Sequence, residues 1–261
     1  MGGGRWQFIS RAECRYADSA RPATTLQFCN DITRARTLRP TRQPTRLPAS
    51  SRMGESIYRF VLREKPGALV RAWALERERL ARDGRGACSL HNEILQPALI
   101  TLLLWTVLAV WLEPQILLFL AAASFWANFQ LTSANYVAHY GLLRQKSASG
   151  KYEACQPHHS WNSNHIFSNW ALFHLQRHSD HHAHPLRRYQ SLRHFENLPR
   201  LPSGYFGMFT LAYIPPLWRW VMDERLLAVV GRDAARINLC PRQRGALIRR
   251  HGLRDAPASA P

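Results

Sequence analysis

"LQPALITLLLWTVLAVWLEPQILLFLAAASFWANFQLTSANYVAHYG", residues 95–141, is the stretch on which the fold turns. Two apolar runs, about 98–112 and 116–131, flank Glu113-Pro114-Gln115. With its flanking residues each arm reaches about 20 residues, and at about 1.5 Å of rise per residue that spans roughly the 30 Å hydrocarbon core of a bilayer. A helix that stays apolar on every face for that distance reads as a membrane span. A buried hairpin of a soluble protein would need a large surrounding core, which the rest of the chain does not offer. The expectation is an all-α integral membrane fold, with a transmembrane helical hairpin over 95–143 and histidine-bearing helices outside it.

The flanks orient the hairpin. Arg77, Arg79, Arg82 and Arg85 precede it, Arg144, Lys146 and Lys151 follow it, and the connecting turn carries only Glu113. The excess of cations at both ends puts them in the cytoplasm of a bacterial-type inner membrane.

Outward from the hairpin the texture changes. Residues 47–94 read as cytoplasmic surface helices, two short ones broken at Pro66-Gly67, with most of their charge on a solvated face. Residues 1–46 hold nine Arg, three acidic residues and no Lys, with no sustained apolar period. A transit peptide or a disordered basic tail fits this composition. Residues 204–223, broken by Pro215-Pro216, read as an interfacial segment with Trp218, Arg219 and Trp220 at headgroup level. It closes a histidine-rich and interfacial region over 144–231, and residues 232–261 read as a disordered tail.

The net charge is +18, and with lysine only at 65, 146 and 151 it rests on arginine. A nucleic-acid module would cluster that arginine beside aromatics on a soluble fold rather than around a membrane hairpin, so no nucleic-acid partner is expected. Cys14, Cys29, Cys88, Cys155 and Cys240 lie far apart without a C-x-x-C pair. Neither a disulfide scaffold nor a zinc ribbon follows, and a reducing compartment is the default.

"LQRHSDHHAHPLRRYQSLRHF" (175–195) carries the chemistry. His178, His181 and His182 fall at i, i+3 and i+4 and share a helix face, which His174 extends by a turn. Clustered neutral imidazoles are good ligands for iron, zinc or copper. Asp180 points off that face, His184 stands where Pro185 ends the helix, and His194 lies beyond it. His139, at the cytoplasmic end of the second arm, can meet the cluster, and Asn135 shares its face. His158, His159 and His165 sit among loop-formers, where they make hydrogen bonds or line the mouth of the site.

"NYVAHYGLLRQ", "YEACQPHHSWNSNHIFSN" and "LFHLQRHSDHHAHPLRRYQSLRHFENLPRLPSGYFGM" together resemble the C-terminal half of the integral-membrane di-iron alkane 1-monooxygenases, relatives of the membrane fatty acid desaturases. The similarity runs from about Pro48 to Met222. It implies a six-helix membrane fold of which this chain holds the later part. It also implies a mostly-histidine cage for two irons, and O2-dependent hydroxylation of medium- or long-chain alkanes to primary alcohols. Electrons come from a separate rubredoxin and its flavin-dependent reductase. By motif, His139, His178, His181 and His182 are iron ligands; no catalytic group is implied beyond the ligands. Asn135, His165, His174 and Asp180 fall to the surroundings or the mouth of the site. Arg177, Arg187, Arg188 and Arg193 form a candidate docking face for an acidic electron donor. Alternatives are a membrane desaturase or other lipid-modifying hydroxylase, or a gene remnant.

Two histidine boxes of that family are absent from the sequence, and Ala138 stands where it usually has Glu. The Lys-free segment 1–46 is what a wrong reading frame or wrong start would also produce. The expectation is a chain that binds iron weakly and does not itself turn over alkane.

Overall fold

The computed structural model describes residues 50–145, 153, 156–184 and 187–255; the expectations for 1–46, Lys146 and Lys151 lie outside them. Among the described residues the secondary structure is helical, with isolated bridges and no strand: α1 Ile57–Arg82, α2 Leu95–Trp111, α3 Ile116–His139, α4 Ile166–Ala171, α5 His178–Ala183, α6 Tyr205–Ala212, α7 Pro215–Val230 and α8 Arg244–His251. The all-α expectation holds. The chain divides into two units, Leu62–Leu131 and the described residues of 50–61 and 132–255.

The first unit contains the hairpin. α2 buries none of its residues, and Leu102, Leu103, Val110 and Trp111 stand open. α3 likewise exposes Leu118, Phe119, Phe125 and Trp126. α3 is the one described helix both long and apolar enough to cross a membrane; α2 is apolar but has 17 residues. Between them Glu113 takes a left-handed φ of 76°, and the N–H of Ile116 bonds its carbonyl at 3.2 Å. Asn92 caps the start of α2, its Oδ1 accepting from the N–H groups of Ile94 (2.7 Å) and Leu95 (3.1 Å).

α1 corrects one expectation. It is one helix of 26 residues with Pro66 inside, not two broken at Pro66-Gly67. Pro costs a single intrahelical bond, and a stripe of buried residues four apart (Glu64, Ala68, Ala72, Glu76, Leu80) carries the helix across it. Arg77, Glu78, Arg82 and Asp83 are exposed, whereas two carboxylates are buried and paired. Glu64 bonds Arg71 at 2.7 Å, and fully buried Glu76 accepts from Arg79 Nε (3.0 Å), Arg79 Nη2 (2.5 Å) and the N–H of Glu93 (2.8 Å).

The second unit is built around aromatic side chains. Tyr136 and Tyr140, one turn apart at the end of α3, each lie 5.2 Å from Trp218 between ring centres, and Phe60 packs on Tyr136 at 5.6 Å. Their hydroxyls do not go unpaired: Tyr136 donates to the Glu55 carbonyl at 2.7 Å and Tyr140 to Asp223 Oδ1 at 2.8 Å. Trp218 is fully buried, so it does not stand at headgroup level as the sequence suggested, whereas Trp220 is exposed. The segment does break there: α6 ends at Ala212, and Pro215-Pro216 starts α7, where missing N–H groups cost nothing. Gly141 holds the chain where α3 ends, at φ 70°, and a Cβ there would overlap Leu226 Cδ2.

Residues 232–255 are not a loose tail. Ile237, Leu239, Leu247 and Leu253 are buried, Met53 N–H bonds the Asn238 carbonyl at 2.8 Å, and Cys240 N–H returns to the Met53 carbonyl at 3.0 Å. The spaced apolar residues among its arginines gave this segment a core face. Residues 256–261 lie outside the described residues.

Candidate metal centre

The site starts from the last turn of α3, where His139 is 4% exposed. The loop "SWNS" (160–163) fixes that end and the facing helix together. Trp161 N–H bonds the Ala138 carbonyl at 2.8 Å, and its indole Nε1 bonds the Tyr140 carbonyl at 2.9 Å. One residue on, Asn162 Oδ1 accepts from Ser179 N–H at 3.0 Å, and its Nδ2 donates to Ser179 Oγ at 2.5 Å and to the Ser160 carbonyl at 2.9 Å. Asn162 thus pins the first turn of α5 to the strip that holds α3.

This brings together His139, His178 and His182. His178 Nε2 lies 3.2 Å from His139 Nε2 and 2.8 Å from His182 Nε2, and the three donor atoms fall within 4.8 Å of one another. All three side chains are at least nine-tenths buried. Nitrogens about 2.1 Å from a shared ion sit about 3.0–3.4 Å apart, so the spacing fits a divalent metal. The orientation fits as well: His139 Nδ1 meets the His159 carbonyl at 3.4 Å, and donating there leaves Nε2 as the ligand atom.

The other expected residues are placed differently. His181 is half-buried on α5, its ring 6.1 Å from that of His178, outside the converging trio. His174 does not extend the helix face: Phe173 and His174 take left-handed φ values (49° and 58°), and α5 begins only at His178. His165 is exposed and precedes α4, its carbonyl accepting from Gln176 Nε2 at 2.8 Å. Asn135 is buried one turn above His139.

Asp180 is fully buried and organises the arginines. Its carboxylate accepts from Arg187 Nη1 at 2.6 and 2.8 Å, from the N–H of Arg193 at 2.9 Å and from Arg193 Nη2 at 3.3 Å. Burial alone would raise this carboxyl; those bonds outweigh it and hold it below the usual carboxylate range. Arg177 is also engaged, bonding the Leu192 carbonyl at 2.6 Å, and Arg188 is exposed.

Glu153, His158 and His159 form a second group of donors within 4.8 Å. His159 is already committed at both nitrogens: Nδ1 accepts from Gln156 N–H at 2.9 Å and Nε2 faces Glu153 Oε1 at 2.9 Å. Burial and the neighbouring His158 depress its pKa, favouring the neutral ring with the proton on Nε2. That arrangement braces the loop whose carbonyl orients His139.

The sequence model of the fatty acid desaturase family matches residues 34–212. The chain belongs to this family. Among curated proteins, it is 54% identical over 213 residues to the alkane 1-monooxygenase of Ectopseudomonas oleovorans, covering 82% of this chain and 53% of that protein. Alkane 1-monooxygenase 1 of Alcanivorax borkumensis is 53% identical, covering 80% and 52%. The xylene/toluene monooxygenase hydroxylase component of Pseudomonas putida is 30% identical, covering 63% and 43%. The chain spans about half the length of the curated relatives it matches. Within the desaturase family match lie all three converging histidines, Asn162 and Asp180.

Proposed function

We propose that this chain carries part of the di-iron centre of an integral-membrane alkane 1-monooxygenase, an oxidoreductase that converts alkane and O2 to the primary alcohol. The observation that carries this reading is the convergence of three buried imidazole nitrogens, one from the end of an apolar helix and two from α5. Three relatives above half identity are named alkane 1-monooxygenase. The 30% relative is also named a hydroxylase component, which favours hydroxylation over desaturation.

In this reading His139, His178 and His182 hold iron, and His181 belongs to the same box without joining the described trio. Iron, when bound, supplies the O2 activation that an inert C–H bond demands. The protein's own part is positional. The His159 carbonyl keeps a proton on His139 Nδ1, Asn162 sets the start of α5, and Asp180 fastens the 187–193 segment beside it. Burial keeps bulk water from the ligand nitrogens, and α2 and α3 give an apolar substrate a route from the bilayer. The electron donor is a separate rubredoxin. Arg188 and Arg193, exposed at the rim, are its first contacts, while Arg177 and Arg187 brace the surface beneath.

A chimera tests the reading. Residues 50–255 replace the matching segment of the Ectopseudomonas oleovorans relative, and 1-alkanol is measured with rubredoxin, its reductase and NADH. Alcohol formation is the expected result. A chimera that inserts into membranes and retains iron but gives no alcohol, or gives an alkene, would overturn it. The 261-residue chain alone is expected to retain little iron and to form no alcohol.

A further inference from the structure

α4 is built inside out. It buries Ser168 (3% exposed) and Asn169 (6%) and turns Ile166 (87%), Phe167 (66%) and Trp170 (78%) outward. The inward polar face is held by specific contacts. Asn169 Nδ2 donates to Asn164 Oδ1 at 2.9 Å, the Asn169 carbonyl accepts from His174 N–H at 2.8 Å, and Gly204 packs so close that a Cβ would overlap Ser168 Oγ. Rolling the helix over would break these contacts, so the outward apolar face is set by the fold. Phe206 joins it, its ring 5.6 Å from Phe167, and Phe173 extends it beyond the helix. A contiguous aromatic surface of this kind is unfavourable against water.

We propose that this face lies in the boundary layer of a lipid bilayer, with Ile166, Phe167 and Trp170 among the upper acyl chains and headgroups. The proposal rests on the membrane reading above and adds a second contact to it. Three observations point to lipid. Trp161 is bonded to the last turn of α3, the apolar helix of membrane-spanning length, so α4 starts five residues from a point held at that helix end. The side chains are the Trp, Phe and Ile that favour the interface. Arg177, bonded to Asn164 Oδ1 at 3.2 Å and to the Leu192 carbonyl at 2.6 Å, fixes a positive charge at the edge of the face, the sign that suits an anionic headgroup layer.

Spin labels test it in the full chain, with Cys14, Cys29, Cys88, Cys155 and Cys240 replaced by Ser and the protein reconstituted in phosphatidylcholine–phosphatidylglycerol vesicles. Labels are attached singly at Trp170→Cys, Phe173→Cys and, as a reference on α3, Leu118→Cys. All three replace exposed side chains, leaving the core intact. Collision rates with O2, which concentrates in lipid, are compared with those of a water-soluble nickel chelate. Preference for O2 at both 170 and 173 is expected. Preference for nickel at either, with O2 favoured at 118, overturns the proposal and leaves the span standing. Exclusion of both reagents at 170 and 173 means a protein surface covers the face, and also overturns it. Preference for nickel at 118 as well removes the membrane reading and this proposal with it.

Discussion

His178 is the residue on which the candidate site turns, because its Nε2 is the atom both other ligand nitrogens approach. Replacing it in the chimera (His178→Ala) should lower retained iron by more than about tenfold, whereas His181→Ala should cost less than His178→Ala. Iron per chain, measured by mass spectrometry after purification, checks this; equal losses at both positions would mean that the trio is not the binding set. The pair at i and i+4 was legible in H-x-x-H-H, and His139 in H-Y-G, because one helix turn and one apolar run fix those positions locally. His174 misled because the helix face was extended backwards through residues that the chain bends into left-handed conformations. Asn162 and Asp180 were not legible in their roles. Each acts by bonding groups 13 to 17 residues away, on Arg193 and Ser179, and no local period encodes such a partner.

At the scale of elements, the two apolar runs could be read directly because hydrophobicity alone marks them, and α2 and α3 follow them. α1 could not, since a Pro-Gly pair signals a break that burial overrides. What holds α1 to the segment before α2 is Glu76, buried and bonded to Arg79 and to the N–H of Glu93. Arg79→Ala would remove the guanidinium bonded to both oxygens of that buried carboxylate. A cost of about 3 kcal/mol is expected, concentrated in the first unit. Amide exchange should show faster exchange over 76–94 with the aromatic unit unchanged; protection equal to the parent's there would show that Glu76 does not depend on its arginine.

For the molecule as a whole, Asp223 is the buried charge whose environment opposes it. Burial raises its carboxyl above the ordinary range, although Tyr140 donates to it and His251 Nε2 stands 3.7 Å away. Its contribution to folding is therefore complete below the unfolded value of about 3.9 and fades as pH rises through the raised folded value. Asp223→Asn removes that dependence while keeping an acceptor for Tyr140. The variant should gain stability relative to the parent as pH increases from 4 to 8; a difference constant across that range would show that Asp223 does not titrate out of step with the unfolded chain.

α3 is also one rod from Ile116 to His139. Its 24 residues measure about 36 Å, against roughly 30 Å of hydrocarbon. A helix standing upright from one boundary therefore carries its final histidine about one turn past the other. In the proposed enzyme, that geometry acts as a depth gauge.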